Sequence, residues 1–195
     1  VSARRGREAV VHAVVVAVVL AGGLAVNHVQ RYGASVRSFV AYGEPGERLD
    51  VWPGSVVVHG VRASRTLDVS ESTMFGDPPP PPPTDGVWVA VDLAVAGGDQ
   101  PGPVPRVQLV DASDRTFEPT NRARASYPGR AQPGSQHRWE VVFEIPADAV
   151  GPVTVVVADR FPYQLGAEAH VATHVGPVSD EPLVPDAAAL VEPFG

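Results

Sequence analysis

Five arginines stand between residues 115 and 138 (Arg115, Arg122, Arg124, Arg130 and Arg138) against a single acid, Glu118, and Tyr127 lies among them. Arginine and tyrosine are favoured where proteins meet partners, and a local net charge of +4 draws anions. These six residues are a candidate partner-binding loop, fitted to an anionic envelope polymer or an acidic protein. The other reading is that the arginines pair with carboxylates of their own domain. His170 and His174 are four apart and would share one face of a helix. The sequence there alternates like a strand, however, and on a strand i and i+4 lie about 13 Å apart, too far to chelate one ion. Two exposed strand-end histidines are expected. Asp111, Ser113 and Asp114 offer oxygens for calcium, but aspartates also open turns by bonding their own backbone, and that role is the expected one.

What is missing narrows the chemistry further. There is no cysteine, and all fifteen basic residues are arginine. Disulfide frameworks, thiol nucleophiles, the P-loop lysine and Schiff-base chemistry are therefore excluded. No Gly-x-Ser-x-Gly, His-Glu-x-x-His, dinucleotide glycine fingerprint or EF-hand loop occurs. The reading is of a protein that is not an enzyme, with no catalytic or metal-ligating residue and no cofactor. A carboxylate pair that hydrolyses an envelope polymer remains the alternative, because the separation of two carboxylates is a property of the fold.

The N-terminus speaks to location. Residues 9–26, from Ala9 to Val26, form an eighteen-residue run whose only polar member is His12. As a helix it would be about 27 Å long, near the roughly 30 Å of a bilayer's hydrocarbon core. Arg4, Arg5 and Arg7 precede it, which predicts the N-terminus inside and the rest extracytoplasmic. The lipid bilayer is then the partner of Ala9–Val26. A cleaved signal peptide ending at Gly23-Leu24-Ala25, giving a secreted domain, is the competing expectation. Val29, Tyr32, Val36, Phe39 and Val40 continue at helical spacing and predict a juxtamembrane helix or linker over residues 27–46.

The elements that must position any site read as strands. From Val87 to Val95 the odd positions are Val87, Val89, Val91, Leu93 and Val95, and the even ones are Trp88, Ala90, Asp92 and Ala94. That is period two, with the odd set facing a core. Trp139, Val141, Phe143 and Ile145 form a second inward set, with Arg138, Glu140, Val142 and Glu144 outward. Val153, Val155 and Val157 form a third, and shorter strands are predicted at 48–51, 55–61, 65–69, 106–110, 115–118 and 170–175. Turn residues separate them, and no long helical pattern intervenes. The expectation is an all-β antiparallel β-sandwich over residues 47–175, preceded by an N-terminal transmembrane helix. Without residues 1–31 the chain keeps 11 arginines against 21 acids, a net charge of −10 that argues against nucleic acid as a partner.

Two segments stand apart. Residues 78–83 are six consecutive prolines, a stiff polyproline loop within the domain, and a docking ligand for an aromatic groove is its functional reading. Residues 176–195 are acidic and proline-rich and predict a flexible tail, with Asp186 capping one helical turn at 187–191.

The succession Val87-Trp-Val-Ala-Val-Asp-Leu-Ala-Val95, Val107-Gln-Leu-Val-Asp-Ala-Ser-Asp-Arg-Thr-Phe117, Pro133-Gly134 and Val141-Val-Phe-Glu-Ile-Pro146 resembles exported bacterial immunoglobulin-like domains of unknown function, of the telokin-like secreted-antigen type. The resemblance covers about residues 47–160. It implies an immunoglobulin-like fold and an exported location, and it supplies no catalytic residues. The chain departs from that pattern in having Asp114 where a glycine is usual in the turn, and no lipid-anchor cysteine after the apolar run. Together these readings describe a membrane-anchored, noncatalytic binding or accessory module of the bacterial cell envelope.

Overall fold

The structure is a computed structural model. It describes residues 12, 14–16, 18–24, 39–51, 53–69, 83–103, 105–123, 129–159, 167–186 and 188–191. The chain divides into two units, residues 1–38 and 39–195.

In the first unit the described residues 12, 14–16 and 18–24 are helical. The side chains of Val14, Val15, Val16, Val18, Val19, Leu20 and Leu24 are all exposed, by 55–69%. Among the described residues no helix is long and apolar enough to cross a membrane. The transmembrane helix expected over residues 9–26 is thus not found in them. Residues 9–11, 13, 17, 25 and 26 of that stretch lie outside the described residues, as do the basic head at 1–8 and residues 27–38.

The second unit is a β-sandwich of eleven strands: β1 (Phe39–Gly43), β2 (Arg48–Val51), β3 (Gly54–Ser64), β4 (Val87–Gly97), β5 (Pro105–Asp111), β6 (Thr116–Phe117), β7 (Gln136–Ile145), β8 (Pro152–Asp159), β9 (Ala167–His174), β10 (Val178–Ser179) and β11 (Ala189–Val191). Sheet I has the order β1-β9-β8-β5-β6, and sheet II the order β10-β3-β4-β7-β11, with β2 also pairing β3. The predicted inward sets meet between the sheets. Val87, Val89, Val91, Leu93 and Val95 of β4 pack in one cluster with Trp139, Phe143 and Ile145 of β7 and with Val153, Val155 and Val157 of β8. Burying such branched side chains on both facing sheets supplies about 1.5–3 kcal/mol each before chain entropy is counted. In β3 the inward residues are Val56 and Val58, then Val61 and Ala63. The parity changes because the register shifts between Val58 and Gly60, where the extra residue His59 forms a β-bulge.

Four readings of the sequence need correction. Phe39 and Val40 are not helical: β1 is a strand paired in parallel with β9 (Phe39 with Ala167, Gly43 with Val171). An available sheet edge satisfies every second backbone group of this segment, and that tertiary gain overrides a local helical spacing. The segment at 65–69 is not a full strand, and only Leu67 forms a bridge, to Leu183. Nor is the C-terminal stretch a free tail with a helical turn. β10 pairs β3 in parallel, Leu183 is buried, and β11 pairs β7 antiparallel (Ala189 with Arg138, Val191 with Gln136). The described residues 178–186 and 188–191 therefore run from the β3 edge of sheet II to its β7 edge, as a strap over the outer face. Finally, the expected outward residues Trp88, Ala90, Glu140 and Val142 are buried. Trp88, Ala90 and Val142 join a second apolar cluster with Leu67, Val69, Ala123 and Leu183.

Main-chain bonds hold the strap to the segment after β3. The N–H of Arg65 donates to the Ser179 carbonyl (3.1 Å), that of Leu183 to the Thr66 carbonyl (2.9 Å), and that of Asp68 to the Leu183 carbonyl (2.8 Å). Side chains add clamps. The Ser64 hydroxyl donates to the carbonyls of Ser179 and Glu181, and Arg62 donates to the carbonyl of Val184. Glu140 accepts the N–H of Asp186 at 2.8 Å.

Candidate functional site

The described part of the arginine-rich stretch runs from the turn after β5 through β6 and into β7, with Arg122 beside Glu144 near the end of β7 and Arg138 near its start. Its first member, Arg115, belongs to a turn. Asp111 Oδ1 accepts the N–H groups of Ser113 and Arg115, both at 2.9 Å, while Oδ2 accepts Arg115 Nε at 2.6 Å. Burial pushes the Asp111 carboxyl up, but these three bonds together hold it below the ordinary carboxylate range. Asp114 adopts φ 61° in the same turn, the left-handed conformation that aspartate tolerates. Arg115 also donates to Asp148 at 3.1 Å, and its guanidinium lies 5.8 Å from the Phe117 ring centroid. Both Asp111 oxygens are engaged by the chain's own donors, the turn-opening role expected of this aspartate.

Two further arginines are engaged in the same manner. Arg122 donates to Glu144 (2.7 Å) and to the carbonyl of Pro83 (2.7 Å), with its guanidinium 5.2 Å from the Trp88 ring centroid. Arg138 makes a two-pronged contact with Asp92 across β4 and β7 (2.9 and 2.5 Å). Arg130 is exposed, and among the described residues no carboxylate pairs with it. Arg124 and Tyr127 lie outside the described residues, as do prolines 78–82 of the proline run. Three of the six predicted residues are therefore held by carboxylates of the same domain, and much of the local excess of positive charge is neutralised where it stands.

This division has a measurable consequence. Arg122→Ser is expected to lower unfolding free energy by about 1 kcal/mol, the combined scale of a partly exposed ion pair and a cation–π contact. Arg130→Ser is expected to stay within about 0.5 kcal/mol of the parent, as for surface substitutions without partners. Urea denaturation of both variants measures this, and equal losses would overturn the division.

The other sequence candidates fall apart as sites. His170 meets Glu168 at 3.1 Å and stacks edge-on against Tyr42, ring centroids 5.5 Å apart, while His174 is exposed at the end of β9. Among the described residues no three His, Cys, Asp or Glu side chains are placed to hold a metal ion. Asp92 and Glu140 face each other across β4 and β7 as a carboxylate pair. Both are occupied by guanidinium groups, Asp92 by Arg138 and Glu140 by Arg62 (2.8 and 2.6 Å). The Glu140 hydrogen bond pushes the Arg62 pKa up, and the Asp92 bond does the same for Arg138. His59, aimed outward by the bulge, has its pKa lowered by partial burial and by Arg138, with Asp92 opposing.

Two features escaped the sequence reading. One is an open cleft of about 450 Å³ at the β2–β3 edge, lined by Arg48, Asp50, Ser55, Asp99 and Gln100 among others. It can hydrogen-bond a polar molecule, but it holds no histidine and no nucleophile–base pair. The other is the strap's seat on sheet II, built from Arg62, Ser64, Leu67, Trp88, Glu140 and Val142. The only signal for the seat was the presence of apolar residues, Trp88 and Val142, on a face otherwise marked as polar.

No family model matches the chain. No curated protein matches it in sequence. Among solved structures it is similar to an uncharacterized β-sandwich protein from Clostridium difficile 630, at 8% identity and a TM-score of 0.45, over 70% of this chain and 95% of the other.

Proposed function

We propose that the chain is a membrane-anchored, extracytoplasmic binding or accessory module of the bacterial cell envelope, with an immunoglobulin-like sandwich and no catalytic role. The observation that carries this reading is the apolar run at 9–26. Its described part is helical, and every large apolar side chain described in it is exposed. Exposed apolar side chains of that kind favour a nonaqueous cover, and the basic head before them favours insertion with the acidic sandwich outside. The immunoglobulin-like assignment is supported by strand order. β3-β4-β7 in one sheet and β6-β5-β8-β9 in the other follow the order A-B-E and C′-C-F-G of that fold. The noncatalytic reading rests on the engagement of the candidate acids and arginines within the domain. Arg130, with Arg124 and Tyr127 beside it in sequence, is the part of the arginine stretch left to meet an anionic envelope polymer or an acidic protein.

The test is extraction. The full chain is expected in the membrane fraction after washing with high salt, and deletion of residues 9–26 is expected to release it. A mature N-terminus at Val26, found in the soluble fraction, would establish the secreted form instead.

A further inference from the structure

We propose that the cleft at the β2–β3 edge is a binding site for a neutral, hydroxyl-rich ligand, a saccharide, held by Asp50, Ser55, Asp99 and Gln100. The assignment goes beyond the anchored-module reading, does not depend on it, and does not use the arginine stretch.

Alternation along β2 places Leu49 and Val51 in the core between the sheets, which leaves Arg48 and Asp50 on the outer face of sheet II. The register sets Asp50 beside Ser55 of β3, and Ser55 beside Ala96 of β4. This row runs from an exposed carboxylate at the edge to a buried serine that lines the cleft. The rest of the lining comes from the turn at Pro53 and from Gly98, Asp99 and Gln100, in the segment after β4. That segment is tied on both sides. The Gly97 N–H donates to the Ser135 carbonyl (3.2 Å), and the Gly102 N–H donates to the Ala131 carbonyl (2.8 Å). Glycine lets it lie against the β2–β3 turn, since a Cβ at Gly98 would stand 2.7 Å from the Pro53 carbonyl oxygen. A lining fixed by main-chain bonds is in place before a ligand arrives, which lowers the ordering cost of binding.

The chemistry of the lining selects the ligand. A volume of about 450 Å³ falls within the roughly 300–1,000 Å³ of small-molecule sites, but those are lined mostly by apolar side chains. Here Pro53 is the one apolar side chain among the described lining residues, so an apolar ligand gains little. Asp50 and Asp99 only accept hydrogen bonds, Arg48 only donates, and Ser55 and Gln100 do both. The side chains of Asp50, Asp99 and Gln100 make no hydrogen bond or ion pair among the described residues, unlike those of Asp92, Asp111 and Glu140. A hydroxyl both donates and accepts, so a polyol matches all three kinds of group at once. A compact cation drawn to the carboxylates would lie near Arg48 and leave the Arg48 and Gln100 donors unmatched. An anion would face two carboxylates.

The test is binding of the full chain to tetrasaccharides of glucose, mannose and N-acetylglucosamine, read by saturation-transfer NMR, with spermidine and citrate as charged probes. At least one tetrasaccharide is expected to bind, and its affinity is expected to hold between low and high salt, because no charge is neutralised. Asp99→Ala and Gln100→Ala fall on exposed residues and remove no main-chain tie. Each is expected to weaken binding about tenfold, the scale of one lost hydrogen bond. Asp50→Ala is expected to do the same from β2, and urea unfolding at the parent's midpoint verifies that each variant is folded. Arg130→Ser is expected to bind as the parent does. Failure of all three tetrasaccharides to bind would overturn the proposal, as would binding that Asp50→Ala and Asp99→Ala leave unchanged. Tighter binding of spermidine or citrate than of every tetrasaccharide, weakened by the same variants, would also overturn it and make the cleft an ion site.

Discussion

Replacing Trp139 with alanine is expected to lower the unfolding free energy of the sandwich by about 3–5 kcal/mol, the usual loss when a large buried aromatic site is emptied. Trp139 is 4% exposed and stands opposite Leu93 in the β4–β7 ladder, in the cluster that includes Phe143 and the valines of β8. The cavity cannot close easily, because its walls are two hydrogen-bonded sheets and not movable helices. Domains of this size are stable by about 5–15 kcal/mol, so the variant loses a large fraction of the total. Denaturant unfolding should show a lower midpoint with an unchanged slope, the mark of lost stability without a change in exposed area. A loss below about 1 kcal/mol would contradict the inward assignment of this face.

Trp88→Ala is expected to cost a similar 3–5 kcal/mol, although Trp88 is on the opposite face of its strand. It is fully buried and belongs to the second cluster, with Leu67, Val142 and Leu183. Truncation also removes the surface on which Arg122 lies and the floor beneath Leu183. Trp88→Phe separates the apolar and polar contributions. It keeps most of the ring's contacts and removes a buried donor that has no partner among the described residues, a group whose burial costs about 1–3 kcal/mol. The phenylalanine variant is therefore expected within about 1.5 kcal/mol of the parent. If Trp88→Ala were as mild, the strap would not be packed on sheet II in solution.

These two tryptophans also show what the sequence could and could not convey. Alternation placed Trp139 in the core, because for a strand with one face inward the pattern has period two and the assignment is local. The same alternation marked Trp88, Glu140 and Val142 as outward, which they are, and took outward to mean wet. Whether a sheet's second face is covered depends on a segment far along the chain, Leu183 and its neighbours, and no local pattern records that. The strap's composition, acidic and rich in proline, is that of a solvated tail. Its order comes from Leu183 and from backbone groups, which carry no side-chain signature. β1 escaped detection for a related reason, since an edge strand needs only a free sheet edge, and Phe39 and Val40 fitted a helical spacing equally well. In the arginine stretch the excess of charge was legible, but the partners Asp92, Asp111, Glu144 and Asp148 come from four separate segments. The pairing of Asp111 with Arg115 is local to one turn, whereas those of Arg115 with Asp148, Arg122 with Glu144 and Arg138 with Asp92 exist only once the strands are assembled.

The parallel pairing of β1 with β9 also determines how the sandwich answers mechanical force. Because the two strands run the same way, tension drawn between Phe39 at the start of β1 and His174 at the end of β9 pulls them past each other along their length. All five register pairs, from Phe39–Ala167 to Gly43–Val171, are then strained together, so the edge resists in shear and does not peel one bond at a time. Tension on the far end of the chain acts differently. It reaches β11 and β10 before β9, and these are strands of three and two residues. A pull from the C-terminal side is therefore absorbed first by detaching the strap, which lengthens the molecule while the two facing sheets and their core stay closed.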